Sequence, residues 1–150
     1  LPGVAVNTAL VLFSELGPDF VSRFPTARCF ASWLGLCPDN RITGGKILSV
    51  KTRAVKSRSA GALRLAAQSL WRAKNYLGDC FRRWKPRLGT PKAITAMAHK
   101  LARIIWHLLK HQTPYDPTVW QEAEEKLKRK KIQRLHQSAA ALGFKLTTAS

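Results

Sequence analysis

At 150 residues and 45% hydrophobic, the chain is long enough for one core and holds nothing that demands two domains. Twenty-six Lys/Arg against eight Asp/Glu give a formal net charge of +18, which makes an anionic polymer or surface the default partner. No apolar run reaches the ~18 residues of a membrane span, and no charged-then-apolar signal segment opens the chain.

Three cysteines, Cys29, Cys37 and Cys80, show no CxxC spacing and read as reduced thiols of a cytoplasmic protein, with Cys29 and Cys80 buried among apolar neighbours. The chain opens on the turn-like Leu1-Pro2-Gly3-Val4 rather than on methionine, so it is expected to be the C-terminal part of something longer. A helix follows over residues 5 to 16, with Val6, Leu10, Phe13 and Leu16 as its apolar face and Gly17-Pro18 as its stop. A Pro-Gly turn before a helix is the pattern of the second half of a helix-hairpin-helix, in which backbone N–H groups around Pro2, Gly3 and Val4 meet a DNA phosphate. A second helix is predicted from Thr26, as N-cap, to Leu34, burying Phe30, Trp33 and Leu34 and ending at Gly35.

The stretch Asn40 to Arg58 carries the strongest functional signal. Gly44-Gly45 beside Thr43 stands among Arg41, Lys46, Lys51, Arg53, Lys56 and Arg58, with Arg64 just beyond and no acid between them. Glycines allow close backbone approach and expose consecutive N–H groups, and the cations supply the charge that a phosphodiester requires. A lone Gly-Gly with scattered charge is more often a solvated linker. Here residues 42 to 92 hold thirteen Lys/Arg against one acid, Asp79, and favour the phosphate-handling reading.

One long amphipathic helix is predicted from Ser59 to Trp84, with Leu63, Ala67, Leu70, Leu77, Phe81 and Trp84 on the core face. Arg64, Gln68, Arg72 and Asn75 lie opposite, and Pro86 and Gly89 break the run. Thr90 as N-cap and Pro91 start the next helix, which buries Ile94, Met97, Leu101, Ile104, Ile105 and Leu108. Asp116-Pro117 starts a last helix that Gly143 stops. It runs from Glu122, Glu124 and Glu125 to Lys126, Lys128, Arg129, Lys130, Lys131 and Arg134, as the helix dipole favours, over a thin stripe of Trp120, Ala123, Leu127 and Leu135.

The expected class is therefore all-α, a helical domain of about five helices. Its regions are a helix-hairpin-helix-like start (1–39), a basic Gly-Gly loop (40–58), a core helical pair (59–112), a charged C-terminal helix (113–143) and a loose tail (144–150).

The eight acids offer no set of carboxylates fit to converge on paired metal ions. His107 and His111 lie four apart without a third ligand, and His99 reads as a packing or phosphate-contacting side chain. The chain alone therefore reads as non-catalytic. Trp33, Trp84 and Trp106 fit core positions, whereas Trp71, near Arg72 and Lys74, is either half-buried or a stacking platform for a base.

Several motifs follow one another in order: Leu1-Pro2-Gly3-Val4, Arg23-Phe24-Pro25-Thr26, Ala31 to Pro38, Gly44-Gly45-Lys46, Ala62 to Leu70, and Leu88 to Arg103. In this the chain resembles the C-terminal domain of bacterial insertion-sequence transposases whose other half is a four-carboxylate (DEDD) domain shaped like a Holliday-junction resolvase. The resemblance implies a two-domain DNA recombinase. Its N-terminal domain, absent here, would hold Mg2+ on carboxylates, and its C-terminal domain would supply a serine, just before the Gly-Gly, that attacks a DNA phosphate. It also implies DNA as partner, a guide RNA for some members, no membrane, nucleoid association, and a homo-oligomer whose sites combine one protomer's carboxylates with another's serine. No cofactor is expected in this chain itself.

The nucleophile position falls on Thr43, where the extra methyl crowds an in-line approach. Ser49, Ser57 and Ser59 are the alternative hydroxyls nearby. Beside the transposase reading stand two others: a catalytically inactive nucleic-acid-binding remnant of a decayed element, and an unrelated ribosomal or nucleoid protein.

Overall fold

The computed structural model describes residues 1–49 and 51–144, apart from the side chains of Arg41, Ala123, Glu124 and Leu127. The predicted tail beyond Phe144 lies outside them. In chain order the elements are α1 (Val6–Leu16), α2 (Phe20–Arg23), α3 (Ala27–Trp33), β1 (Arg41–Thr43), β2 (Lys46–Ser49), α4 (Arg58–Ser69), a 3-10 turn (Leu70–Arg72), α5 (Tyr76–Leu88), α6 (Thr90–His111) and α7 (Pro117–Ala141). They group into two compact units, Leu1–Tyr115 and Asp116–Ser150.

Capping chemistry explains most boundaries. Thr26 Oγ1 accepts the Cys29 N–H at 3.2 Å, Ser57 Oγ accepts Ala60 N–H at 3.1 Å, and Asp116 Oδ1 accepts Thr118 N–H at 2.8 Å, each satisfying an orphan donor of a first turn. Helix α6 starts one residue earlier than expected. Gly89, at φ 78°, is its cap, which places Thr90 and Pro91 in the first turn.

The single helix expected over residues 59 to 84 is two helices. Asn75 Oδ1 accepts Gly78 N–H at 3.0 Å and caps a fresh start, while Ala73 is extended. Arg82 Nη1 donates to the carbonyls of Trp71 (3.2 Å) and Ala73 (2.9 Å), two acceptors that the break would otherwise leave open, and Arg82 also pairs with Asp79. Pro86 does not end α5, which runs on to Leu88 and stops at Gly89.

Helix α6 is the centre of the first unit and packs against α3, α4 and α5, with α1 laid against α4. Buried Ala66 and Ala67 on α4 and Ala98 and Ala102 on α6 keep that pair's side chains short, and Leu63, Leu70, Met97, Leu101 and Ile104 fill the layer around them. Leu77 and Phe81 of α5 join that core, where Trp84 and Ile94 are half-buried. Phe20, Phe24, Phe30 and Trp33 form an aromatic cluster with ring centroids 5.0 to 6.3 Å apart. Trp106 ties it to α6 by donating its Nε1–H to Phe24 O at 2.7 Å.

Three expectations change. Helix α1 buries Leu12 and Leu16 but exposes Val6, Leu10 and Phe13. Its sequence is apolar on more than one side, so periodicity alone does not select the face that meets α4. Cys29 is exposed in the first turn of α3, where its Sγ accepts the Thr26 hydroxyl at 3.1 Å; Cys80 is buried. Finally, the fold is mainly helical rather than all-α, since β1 and β2 form a two-stranded antiparallel sheet.

In the second unit α7 is a 25-residue helix with an Arg129–Glu125 pair at 3.8 Å. Of its expected apolar stripe, Trp120 is half-buried and Leu135 exposed. Ala123 and Leu127 fall outside the described side chains.

Candidate nucleic-acid interface

The basic stretch is a β-hairpin. Gly44 and Gly45 have φ values of 54° and 76°, the paired left-handed conformations of a two-residue hairpin turn, and open space surrounds both Cα atoms. Glycine is required there by backbone conformation and not by crowding. Cα pairing runs Thr43↔Lys46, Ile42↔Ile47 and Arg41↔Ser49, with an irregularity between the last two pairs that leaves Leu48 as the extra residue. Alternation places Thr43 and Lys46 on one face and Ile42 and Ile47 on the other.

The root of the hairpin is anchored. Pro38 and Thr52 form a bridge, and Asp39 N–H donates to Lys51 O at 2.9 Å. Arg53 Nη2 donates to Ser32 O (2.9 Å) and Ser32 Oγ (2.8 Å), which ties the outgoing strand to the end of α3. Gly35 lets that segment pass: a Cβ there would stand 2.7 Å from the Val55 side chain. The tip is open, with residues 42 to 48 all exposed.

The predicted cations divide accordingly. Arg53 is a strut, and Arg58 Nε pairs with Glu15 Oε1 at 3.1 Å. Lys46, Lys51, Lys56 and Arg72 are exposed and Arg64 half-buried, with no ion-pair partner among the described residues. Arg41 lies in β1, its side chain outside the described set.

Pro2, Gly3 and Val4 form a turn closed by Val4 N–H to Leu1 O at 3.1 Å. Gly3 (φ 80°) packs so tightly on α4 that a Cβ would meet Ala66 O at 2.9 Å. Ala5 offers α1 no capping side chain, so no side chain claims the first-turn N–H groups there.

The hydroxyls separate as well. Ser59 is fully buried, Ser57 is committed as the cap of α4, and Ser49 Oγ accepts Lys51 N–H at 3.3 Å. Thr43 is exposed at the tip, directly across from Lys46. Trp71 is exposed at 44%, with Lys85 Nζ 3.6 Å from its ring centroid and Phe81 edge-on to it.

Among the described residues no three His, Cys, Asp or Glu side chains group as metal ligands. His107 and His111 stack at 6.0 Å, and burial, followed by the charge of His111 and its basic neighbours, lowers the His107 pKa. Burial, then Arg103, lowers that of His99.

Net charge says nothing of Ile42, Ile47 and Leu48, which stand 60%, 63% and 68% exposed on the hairpin. The signal was present: Gly-Gly flanked by Ile42-Thr43 and Lys46-Ile47 is a two-residue hairpin pattern.

A mainly helical, strongly basic domain that holds out a short β-ribbon is the class these features define. Residues 1–81, which take in the hairpin and α4, match the family described as Transposase IS116/IS110/IS902, and the chain belongs to that family. A putative transposase, y4pF/y4sB, of Sinorhizobium fredii (strain NBRC 101917 / NGR234) is 33% identical over 120 residues. That match covers 73% of this chain and 29% of the relative, so the chain spans less than a third of the protein it matches.

Proposed function

We propose that this chain is the C-terminal, nucleic-acid-handling part of an insertion-sequence transposase of the four-carboxylate, resolvase-like type. The observation that carries the reading is the tip of the hairpin. A hydroxyl (Thr43), two glycines whose backbone is open to a ligand, and a lysine (Lys46) with no ion-pair partner among the described residues are adjacent and solvent-facing in a chain of net charge +18. Exposed cations supply the sequence-independent grip on phosphates, and each phosphate neutralised releases counterions.

In the full-length protein, carboxylates of the other domain would hold Mg2+, which would supply the positive charge that stabilises the phosphoryl oxygens. The Thr43 hydroxyl would lose its proton and attack a DNA phosphorus. One P–O bond to deoxyribose is exchanged for a P–O bond to Thr43, and the displaced oxygen takes up a proton. Composite assembly in a homo-oligomer and contact with a guide RNA belong to the same proposal.

A second reading, a binding remnant without chemistry, is favoured by one feature: the methyl group of Thr43, which restricts χ1 and crowds the in-line approach.

Two measurements test these readings. Affinity of the chain for duplex DNA should fall linearly on a log–log salt plot, and Lys46→Ala should flatten the slope by about one. A salt-independent affinity would overturn nucleic-acid handling altogether. In full-length protein, Thr43→Ala should abolish strand transfer with binding intact, and Thr43→Ser should raise it. Wild-type transfer by the alanine variant would remove Thr43 from the chemistry, and a wild-type protein inactive with its carboxylate domain present would establish the remnant.

A further inference from the structure

We infer that the hairpin is a DNA wedge: its Ile42/Ile47 face enters a groove of duplex DNA and partly unstacks a base step. This rests on the proposal that the chain engages DNA.

Residues 42 to 48 are all exposed, and the two faces of the ribbon differ chemically. One carries the Thr43 hydroxyl and the Lys46 ammonium, and the other a cross-strand pair of isoleucines 60% and 63% exposed. Leu48, the extra residue of the bulge, is itself 68% exposed. Two adjacent β-branched side chains held in water at the end of a rooted hairpin call for an occupant.

Charge decides which one. The ribbon lies in a run of thirteen Lys/Arg with a single acid, so a second copy of this basic surface is repelled, and an anionic partner is drawn to Lys46 at the tip and Lys51 at the root. DNA offers anionic groove walls together with an apolar interior between base pairs. Isoleucine is among the side chains that proteins insert there, and a two-stranded ribbon fits a groove. Anchorage by Arg53 on Ser32 and by the Pro38–Thr52 bridge gives the ribbon a base to push from.

The experiment uses the purified chain and a set of duplexes carrying 2-aminopurine at successive positions, including flexible TA and CA steps. Binding is read by anisotropy and unstacking by 2-aminopurine fluorescence. The wild-type chain should raise fluorescence at a discrete step. The Ile42→Thr/Ile47→Thr variant, which keeps β-branched strand formers, should bind with the same salt slope and leave fluorescence at the free-duplex level. Lys46→Ala should flatten the slope but retain unstacking at saturation.

Salt-dependent binding by the wild-type chain with no fluorescence rise at any position would overturn the wedge and leave the DNA-binding reading standing. Absence of salt-dependent binding to any duplex would overturn both. A wild-type dimer converted to monomer by the double variant, with fluorescence unchanged between the two, would assign the isoleucine face to a second copy and overturn the wedge.

Discussion

The carboxylate of Glu15 joins two helices distant in sequence. One oxygen accepts the Arg58 Nε–H and the other accepts the Ser59 backbone N–H at 3.0 Å, so the end of α1 serves the N-terminus of α4. The buried Ser59 hydroxyl makes no well-aligned hydrogen bond among the described residues, yet beside Glu15 it is the first of the groups that hold the carboxyl below its usual range. The Ser59 N–H and Arg58 act the same way, and desolvation acts against them. His99 is perturbed as well, its imidazolium disfavoured by burial and then by Arg103.

Both shifts make acid destabilising, in separate windows. For His99 the folded pKa is depressed, so the unfolded chain binds more protons and stability falls as pH drops below about 6.5. For Glu15 the stabilisation is present above the unfolded value of about 4.3 and is lost as pH falls through the depressed folded value. Thermal unfolding followed downward from about pH 7.5 should therefore decline in two stages. His99→Gln should shrink the first, to which His107 also contributes, whereas Glu15→Gln should shrink the second and cost about 1 kcal/mol near neutrality, as loss of a helix cap does. A decline between about pH 7 and pH 5 unchanged by His99→Gln would contradict the His99 assignment.

Among the elements, the break between α4 and α5 is the feature least expected from the sequence. The pattern Leu63, Ala67, Leu70, Leu77, Phe81 satisfies helical spacing across it, because both helices turn their apolar faces to the same α6. Periodicity reports the face and is blind to a bend that preserves it. Gly78 marks the bend physically: a Cβ there would stand 2.1 Å from Ala73 O, a backbone atom with nowhere to go. Gly61, within α4, has open space and no positive φ. Gly78→Ala should thus destabilise by about 3 kcal/mol, in the range of overpacked cores. Gly61→Ala should instead stabilise by about 0.5 to 1 kcal/mol through helix propensity. Urea denaturation of the two variants checks the contrast, and equal effects would refute this account of the bend. The hairpin, by comparison, was legible as Gly-Gly between short apolar segments. Its charges alone do not distinguish a hairpin from a loop.

Among the described residues, every buried hydrophobic side chain lies within Leu1–Tyr115, and α7 belongs to a unit of its own. A chain ending at Tyr115 should keep the cooperative unfolding of the first unit. It should also bind DNA with a shallower salt slope, since Lys126, Lys128, Arg129, Lys130, Lys131 and Arg134 go with α7. Calorimetry and a salt titration read the two effects separately, and an unchanged slope would remove α7 from the DNA-contacting surface.

Taken alone, the sequence determined the charge, the helical class, most helix starts and stops, and the likeness of its ordered motifs to the transposases, because each depends on local chemistry or on residue order. Which face of α1 is buried, which cations are struts and which are open, which of four hydroxyls is exposed, and that the basic stretch presents an apolar face were decided only by tertiary structure. These depend on what packs against each side chain, and partners such as Glu15 and Ser59, or Ser32 and Arg53, lie 21 to 44 residues apart.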